Sequence, residues 1–144
     1  MFPMNKTIDL HVHSTASDGT FTPTELVAEA KRCGLSAFAL TDHDTVDGIS
    51  EALAAGEASG LEVIPGVELS TEYNETEIHV VGLFIDPANT ELQAELAKFR
   101  DNRDNRNLKM IEKLQEEGLR ITAEDLYRLN PDTEIGRAHV WTPV

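Results

Sequence analysis

Ile8-Asp9-Leu10-His11-Val12-His13-Ser14, continuing to Ser17-Asp18-Gly19, is the stretch from which the rest of the chain is read. It reads as the first strand and the turn that follows it, and side chains along a strand alternate between its two faces. His11 and His13 therefore point the same way, and a cation can be held between two imidazoles so placed. Taken alone, the pair is a weak signal, and surface or satisfied core histidines are its plainer reading. The segments beyond this strand set the architecture. Thr22-Pro23-Thr24-Glu25 offers an N-cap threonine, a proline suited to the first helical position and a glutamate that completes a capping box, so a helix starts there. Leu26, Val27, Ala30 and Cys33 recur at helical spacing, which makes Cys33 a packing residue, and Gly34 closes the helix.

The next run, Ala37-Phe38-Ala39-Leu40-Thr41, is short, continuous and apolar, as in a strand covered on both faces, and it ends in Asp42-His43-Asp44. A second helix is predicted over 46–59, closed by Gly60, and Leu61-Glu62-Val63-Ile64-Pro65 reads as a third strand whose exit is Gly66-Val67-Glu68. Strands alternating with helices of this length predict a parallel sheet with right-handed crossovers. Residues 69–73 and 77–85 flank Asn74-Glu75-Thr76 as a hairpin, with Ile78-His79-Val80-Val81-Gly82 on its return limb. From Thr90 a long helix is predicted to about Glu117, buried along Leu92, Leu96, Phe99, Met110, Ile111 and Leu114 and stopped by Gly118. Thr122-Ala123-Glu124-Asp125 opens a short helix carrying Leu126 and Leu129, which Asn130-Pro131-Asp132 ends.

With 144 residues, 40% of them hydrophobic and 26% charged, the chain can bury its own core, and no run reaches the eighteen or so apolar residues of a membrane span. Its N-terminus lacks a signal peptide's apolar segment, so the expected location is cytoplasmic, without membrane attachment. The single cysteine excludes an internal disulfide. A net charge of −14 argues against broad, charge-driven binding of nucleic acid, and no stable nucleic-acid complex is expected. Bound divalent cations nevertheless dominate the field of a carboxylate-rich pocket and attract phosphate despite the overall sign.

Metal-ligating residue types fall at corresponding points along the chain. His11, His13 and Asp18 follow the first strand, Asp42, His43 and Asp44 the second, Glu68 the third, and His79 lies on the strand after that. In a parallel α/β sheet or barrel the carboxyl ends of the strands share one rim, so residues far apart in sequence converge there. Three successive strand ends loaded with histidine and carboxylate point to a metal centre rather than to separate caps and core histidines. Arg100, Arg103 and Arg106 repeat every third residue on the long helix; a solvated face with local aspartate pairs is the plain reading, and a phosphate clamp the functional one.

Asp9-Leu10-His11-Val12-His13-Ser14, Ser17-Asp18-Gly19, Leu40-Thr41-Asp42-His43-Asp44-Thr45, Pro65-Gly66-Val67-Glu68 and Ile78-His79-Val80-Val81-Gly82, in this order, resemble the PHP (polymerase and histidinol phosphatase) metal-dependent phosphoesterases. The likeness is to the free-standing branch that acts on nucleoside bisphosphates and RNA 5' ends, rather than to PHP modules fused to DNA polymerases. It implies the first half of a distorted (β/α)7, TIM-like barrel with two or three divalent ions: manganese, zinc, iron or magnesium. It also implies that His11 and His13 ligate one metal, that Glu68 bridges, and that Asp18, His43 and His79 complete the ligands present. Asp18, His43 and Glu68 become the candidate catalytic residues, and Asp42 and Asp44 the partners that orient His43. The implied reaction is hydrolysis of a phosphate ester of a small molecule, nucleotide or RNA 5' end by a metal-activated hydroxide, with the three arginines holding phosphate. A histidinol-phosphatase activity and a non-catalytic metal-binding module are the alternatives.

Family members continue further and add another histidine and a late Asp-x-His, so residues 1–134 are expected to be the N-terminal part of such a domain, with open sheet edges and an uncovered apolar interior. Ile135 to Val144 match, residue for residue, the translation of a common sequencing adapter, ATC GGA AGA GCA CAC GTC TGA ACT CCA GTC, with TGA read as tryptophan. The tail is therefore expected to be read-through. Gly136-Arg137-Ala138-His139 as a family segment is the competing reading.

Overall fold

The computed structural model describes residues 7–74 and 76–129. The expected helix break at Asn130-Pro131-Asp132, the tail from Ile135 to Val144, and the side chains of Arg103, Leu126 and Leu129 lie outside the described residues. Eight elements are arranged in order: β1 (Thr7–Val12), α1 (Pro23–Arg32), β2 (Leu35–Leu40), α2 (Ile49–Ser59), β3 (Glu62–Tyr73), β4 (Thr76–Leu83), α3 (Thr90–Glu116) and α4 (Ala123–Leu129). The strands form one curled, half-barrel sheet in the order β1-β2-β3-β4. The first two pairings are parallel and the last antiparallel.

Local chemistry explains the elements that the sequence pattern predicts. At the start of α1 the Thr22 hydroxyl accepts from the Glu25 N–H, and the Glu25 carboxylate accepts from the Thr22 N–H, closing the capping box. α4 opens on the same device, with Asp125 and Thr122 bonded reciprocally. α1 and α2 cover one face of the sheet, where Leu26, Val27, Ala30, Ile49, Ala52 and Leu61 pack on Phe38 and Leu40. Residues 37–40 are all buried, as expected of a strand covered on both faces. α3 buries only Leu96 and Ile111 of its expected stripe, leaving Leu92, Phe99, Met110 and Leu114 half-buried.

Three expectations are corrected. α2 begins at Ile49, because the Thr45 hydroxyl accepts from the Asp47 N–H and holds this segment in a turn that competes with helix. Cys33 is exposed rather than packed, its thiol 3.6 Å from Glu29 Oε1. The third strand does not leave the sheet at Gly66-Val67-Glu68; β3 runs on for 12 residues. Its first part pairs with β2 and its second with β4, and the exchange occurs at Gly66, which faces Leu83 of β4. A Cβ at Gly66 would lie 2.8 Å from Thr41 Cγ2, 2.9 Å from the Gly82 oxygen and 3.1 Å from the Leu40 oxygen, so only glycine lets the backbones approach there.

Among the described residues β1 and β4 are the outer strands of the sheet. Ile8 and Leu10 of β1, and Ile78, Val80 and Val81 of β4, are exposed. Among the described residues no helix is long and apolar enough to cross a membrane.

Candidate metal centre

The sheet brings all six expected ligands to one end. β1 has one more residue than β2 between the pairs Asp9–Phe38 and Val12–Leu40, an irregularity that re-aims the strand where it delivers His11 and His13. His43 sits beside Glu68 in a parallel bridge: the Asp44 N–H donates to the Glu68 oxygen at 3.0 Å and the Glu68 N–H to the Asp42 oxygen at 3.2 Å. Glu68 thus lies mid-strand, held on one side by residues 42–44 and paired on the other with Val81. His79 stands two residues before Val81, on the same face of β4.

Glu68 is 4% exposed and its two oxygens face four imidazoles. Oε2 lies 2.9 Å from His11 Nε2, 2.9 Å from His13 Nε2 and 3.4 Å from His43 Nδ1, while Oε1 lies 2.9 Å from His79 Nδ1. Asp18 closes the other side, with His13 Nδ1 at 3.1 Å and His43 Nε2 at 3.6 Å. Three overlapping donor triads result: His11–His13–Glu68, His13–Asp18–His43 and His43–Glu68–His79.

The donor set fits divalent metal. A neutral imidazole has one N–H and an ionised carboxylate only accepts, yet His13 and His43 each present both ring nitrogens to carboxylates. Protons alone satisfy this only by charging imidazoles whose ring centres stand 4.6 Å apart. A cation satisfies the same lone pairs without that repulsion. Two donors about 2.1 Å from one ion lie about 3.0 Å apart at a right angle and about 3.4 Å apart in a tetrahedron, the spacing found around Glu68. Without metal, burial opposes protonation of His13, but the Asp18 hydrogen bond and the charges of Asp18, Glu68 and Asp42 outweigh it and raise its pKa above 6.5. Burial pushes the Glu68 pKa up, and the histidines, led by the His11 hydrogen bond, bring it below the usual carboxylate value.

The remaining candidates take other places. Asp42 is 2% exposed and accepts from the Ser14 N–H at 2.6 Å, the Ser14 hydroxyl at 2.7 Å and the Ser17 hydroxyl at 2.6 Å. These bonds hold the loop between His13 and Asp18. Gly19 seals that loop: a Cβ there would stand 2.3 Å from the His13 oxygen. Asp44, at φ +53°, accepts from the Ser70 N–H through Oδ1 and ties the loop after β2 to β3. Arg100 Nη1 donates to the Asp44 carbonyl at 2.9 Å, and Arg106 Nη1 to Glu77 Oε1 at 2.7 Å, so α3 leans on the centre. Beside it, between the β3–β4 hairpin and α3, opens a cleft of about 780 Å³ lined by Ser70, Glu77, Phe99, Arg106 and Lys109 among others.

Sequence reasoning assigns no role to Ser14, Ser17 or Glu77. The serines stand inside the motifs quoted for the metal ligands, and Glu77 lies two residues before His79, where the strand period places both side chains on one face.

The comparisons agree with this geometry. The PHP domain family matches residues 9–137. A 5'-3' exoribonuclease of Haemophilus influenzae is 43% identical over 136 residues, covering 94% of this chain and 49% of that protein. A 3',5'-nucleoside bisphosphate phosphatase of Chromobacterium violaceum is 42% identical over 112 residues, covering 78% of this chain and 39% of that protein. The crystal structure of a metal-dependent phosphoesterase from Bifidobacterium adolescentis superposes with a TM-score of 0.82 at 34% identity, covering 96% of this chain and 49% of that one. The chain spans about half the length of the curated relatives it matches. Its motifs, its half-barrel sheet and its cluster of histidines around Glu68 place the chain in the PHP domain family.

Proposed function

We propose that this chain is the N-terminal part of a metal-dependent phosphoesterase that hydrolyses phosphate esters of nucleotides or RNA 5' ends, within a (β/α)7-type barrel. The observation that carries the reading is the convergence of four imidazoles on the two oxygens of one buried carboxylate, Glu68. His11, His13 and Glu68 would hold one ion, and Asp18, His43 and His79 would share one or two more with them. Manganese, zinc, iron and magnesium all suit such nitrogen and oxygen donors in part. Divalent ions held there would supply an acidified water and positive charge against the phosphoryl oxygens.

The chain's own residues set the geometry of that chemistry. Glu68 fixes four imidazoles at once, and Asp42 holds the His13–Asp18 loop through Ser14 and Ser17. Arg100 and Arg106 stand at the rim on α3, and in this reading their guanidiniums also help to hold substrate phosphate. The test is hydrolysis of a nucleoside 3',5'-bisphosphate, a 5'-phosphorylated RNA and histidinol phosphate side by side, with and without divalent metal, in the protein carrying its genomic continuation. Metal-dependent turnover of either nucleotide substrate that is lost in His11→Ala and Glu68→Ala supports the reading. Turnover that survives both substitutions, or preference for histidinol phosphate, refutes it. Read-through remains the reading for Ile135 to Val144, and a TGG codon for Trp141 would refute that.

A further inference from the structure

We infer that Glu77 is a positioning residue of the metal centre, acting through His79; the inference rests on the metal-binding reading above. Glu77 and His79 share one face of β4. His79 lies between two carboxylates, with Nδ1 2.9 Å from Glu68 Oε1 and Nε2 3.1 Å from Glu77 Oε1. Glu77 Oε1 also takes Arg106 Nη1 at 2.7 Å, a charge-assisted bond that fixes the carboxylate in place. An ionised carboxylate accepts but does not donate, so the proton between His79 and Glu77 belongs on Nε2.

That proton decides what the other nitrogen does. With Nε2–H given to Glu77, Nδ1 carries the lone pair and is aimed into the His43–Glu68–His79 triad. Glu77 thereby selects the tautomer of His79 and sets its ring orientation, as carboxylates behind metal-bound histidines do. The row Arg106–Glu77–His79–Glu68 runs from α3 to the centre, so a helix distant in sequence holds a ligand of the β4 strand in register.

The experiment is a cobalt(II) titration of the protein carrying its genomic continuation, followed by visible absorption and by calorimetry, for wild type, Glu77→Ala, Glu77→Gln, His79→Ala and the Glu77→Ala/His79→Ala double variant. Glu77→Ala should weaken binding at the site containing His79 by about 10–100-fold and alter the cobalt spectrum, and the shape-conserving Glu77→Gln should weaken it less. In the His79→Ala background, Glu77→Ala should change the affinity less than about twofold, because a residue that acts through His79 has nothing left to act on. Nitrogen-15 NMR of the zinc-loaded protein should show His79 protonated at Nε2, with that N–H exchanging faster with solvent in Glu77→Ala. Equal cobalt affinity and spectrum in wild type and Glu77→Ala overturns this inference alone. So does an undiminished effect of Glu77→Ala when His79 is absent, which would mark a general structural role. A wild-type chain that binds no cobalt overturns the metal reading together with this one.

Discussion

Replacing Asp42 by alanine should destabilise the metal-free protein and loosen the metal site together. Three donors, the Ser14 N–H, the Ser14 hydroxyl and the Ser17 hydroxyl, end on this one carboxylate at 2.6–2.7 Å. Both serines are fully buried, so none of the three gains bulk water when the carboxylate is removed. A buried donor left without a partner costs about 1–3 kcal/mol, which puts the sum on the order of 3–9 kcal/mol before relaxation. The two hydroxyls can rotate and the N–H cannot, so about 3 kcal/mol is expected to remain. That is a large part of the roughly 5–15 kcal/mol that holds a domain together. Asp42→Asn keeps the shape and one acceptor oxygen and should lose only about 1–2 kcal/mol, mainly the charge. Urea unfolding with chelator present reads both values. Because the loop these bonds fix carries His13 and Asp18, the alanine variant should also bind metal more weakly by calorimetry. A loss below about 1 kcal/mol for Asp42→Ala, or equal losses for the two variants, would refute the assignment of Asp42 as the acceptor that holds this loop.

Glu68→Ala should lower the bound metal to at most one ion per chain by elemental analysis, since Glu68 belongs to two of the three donor triads and His13–Asp18–His43 survives without it; unchanged stoichiometry would contradict the bridging role. Gly19→Ala places a methyl 2.3 Å from a backbone oxygen and should cost about 3 kcal/mol or more in urea unfolding. Gly34→Ala, with nothing within 4 Å and only its left-handed backbone to strain, should cost about 1–2 kcal/mol. pH should act with opposite sign on the two forms. In chelator the raised pKa of His13 contributes stability that is complete below its unfolded value of about 6.5 and is lost as pH rises through the folded value, so the melting temperature should fall over that window. With saturating zinc or manganese, protons compete with metal for the imidazoles, and the stabilisation by metal should grow over the same window. Parallel slopes in the two titrations would contradict this.

Much of the molecule is legible without its structure. The capping box at Thr22, the apolar run over Phe38 and Leu40, and the ligand types at successive strand ends are local signals, carried by spacing within a few residues. The same spacing says which face a side chain takes but not which partner it meets. For that reason the six candidate ligands can be named as a set, whereas Asp42 reads as a partner of His43 and is found on Ser14 and Ser17. The arginine row reads as a solvated face with local aspartate pairs or as a phosphate clamp, and the Arg106 guanidinium is found on Glu77 of β4.

What the sequence by itself determined is the identity of the elements and the chemistry of their ends: strands and helices from periodicity and caps, and a candidate metal centre from histidine and carboxylate at successive strands. What only the tertiary structure decided is register. Whether β3 leaves the sheet at Glu68 or continues depends on backbone partners from residues 42–44 and from β4, which no pattern within β3 reveals. Because β3 continues, Glu68 stays buried mid-strand, where both of its oxygens face imidazoles. Hydrogen bonds between segments tens of residues apart are short-ranged and directional, so they are settled only once the strands are aligned.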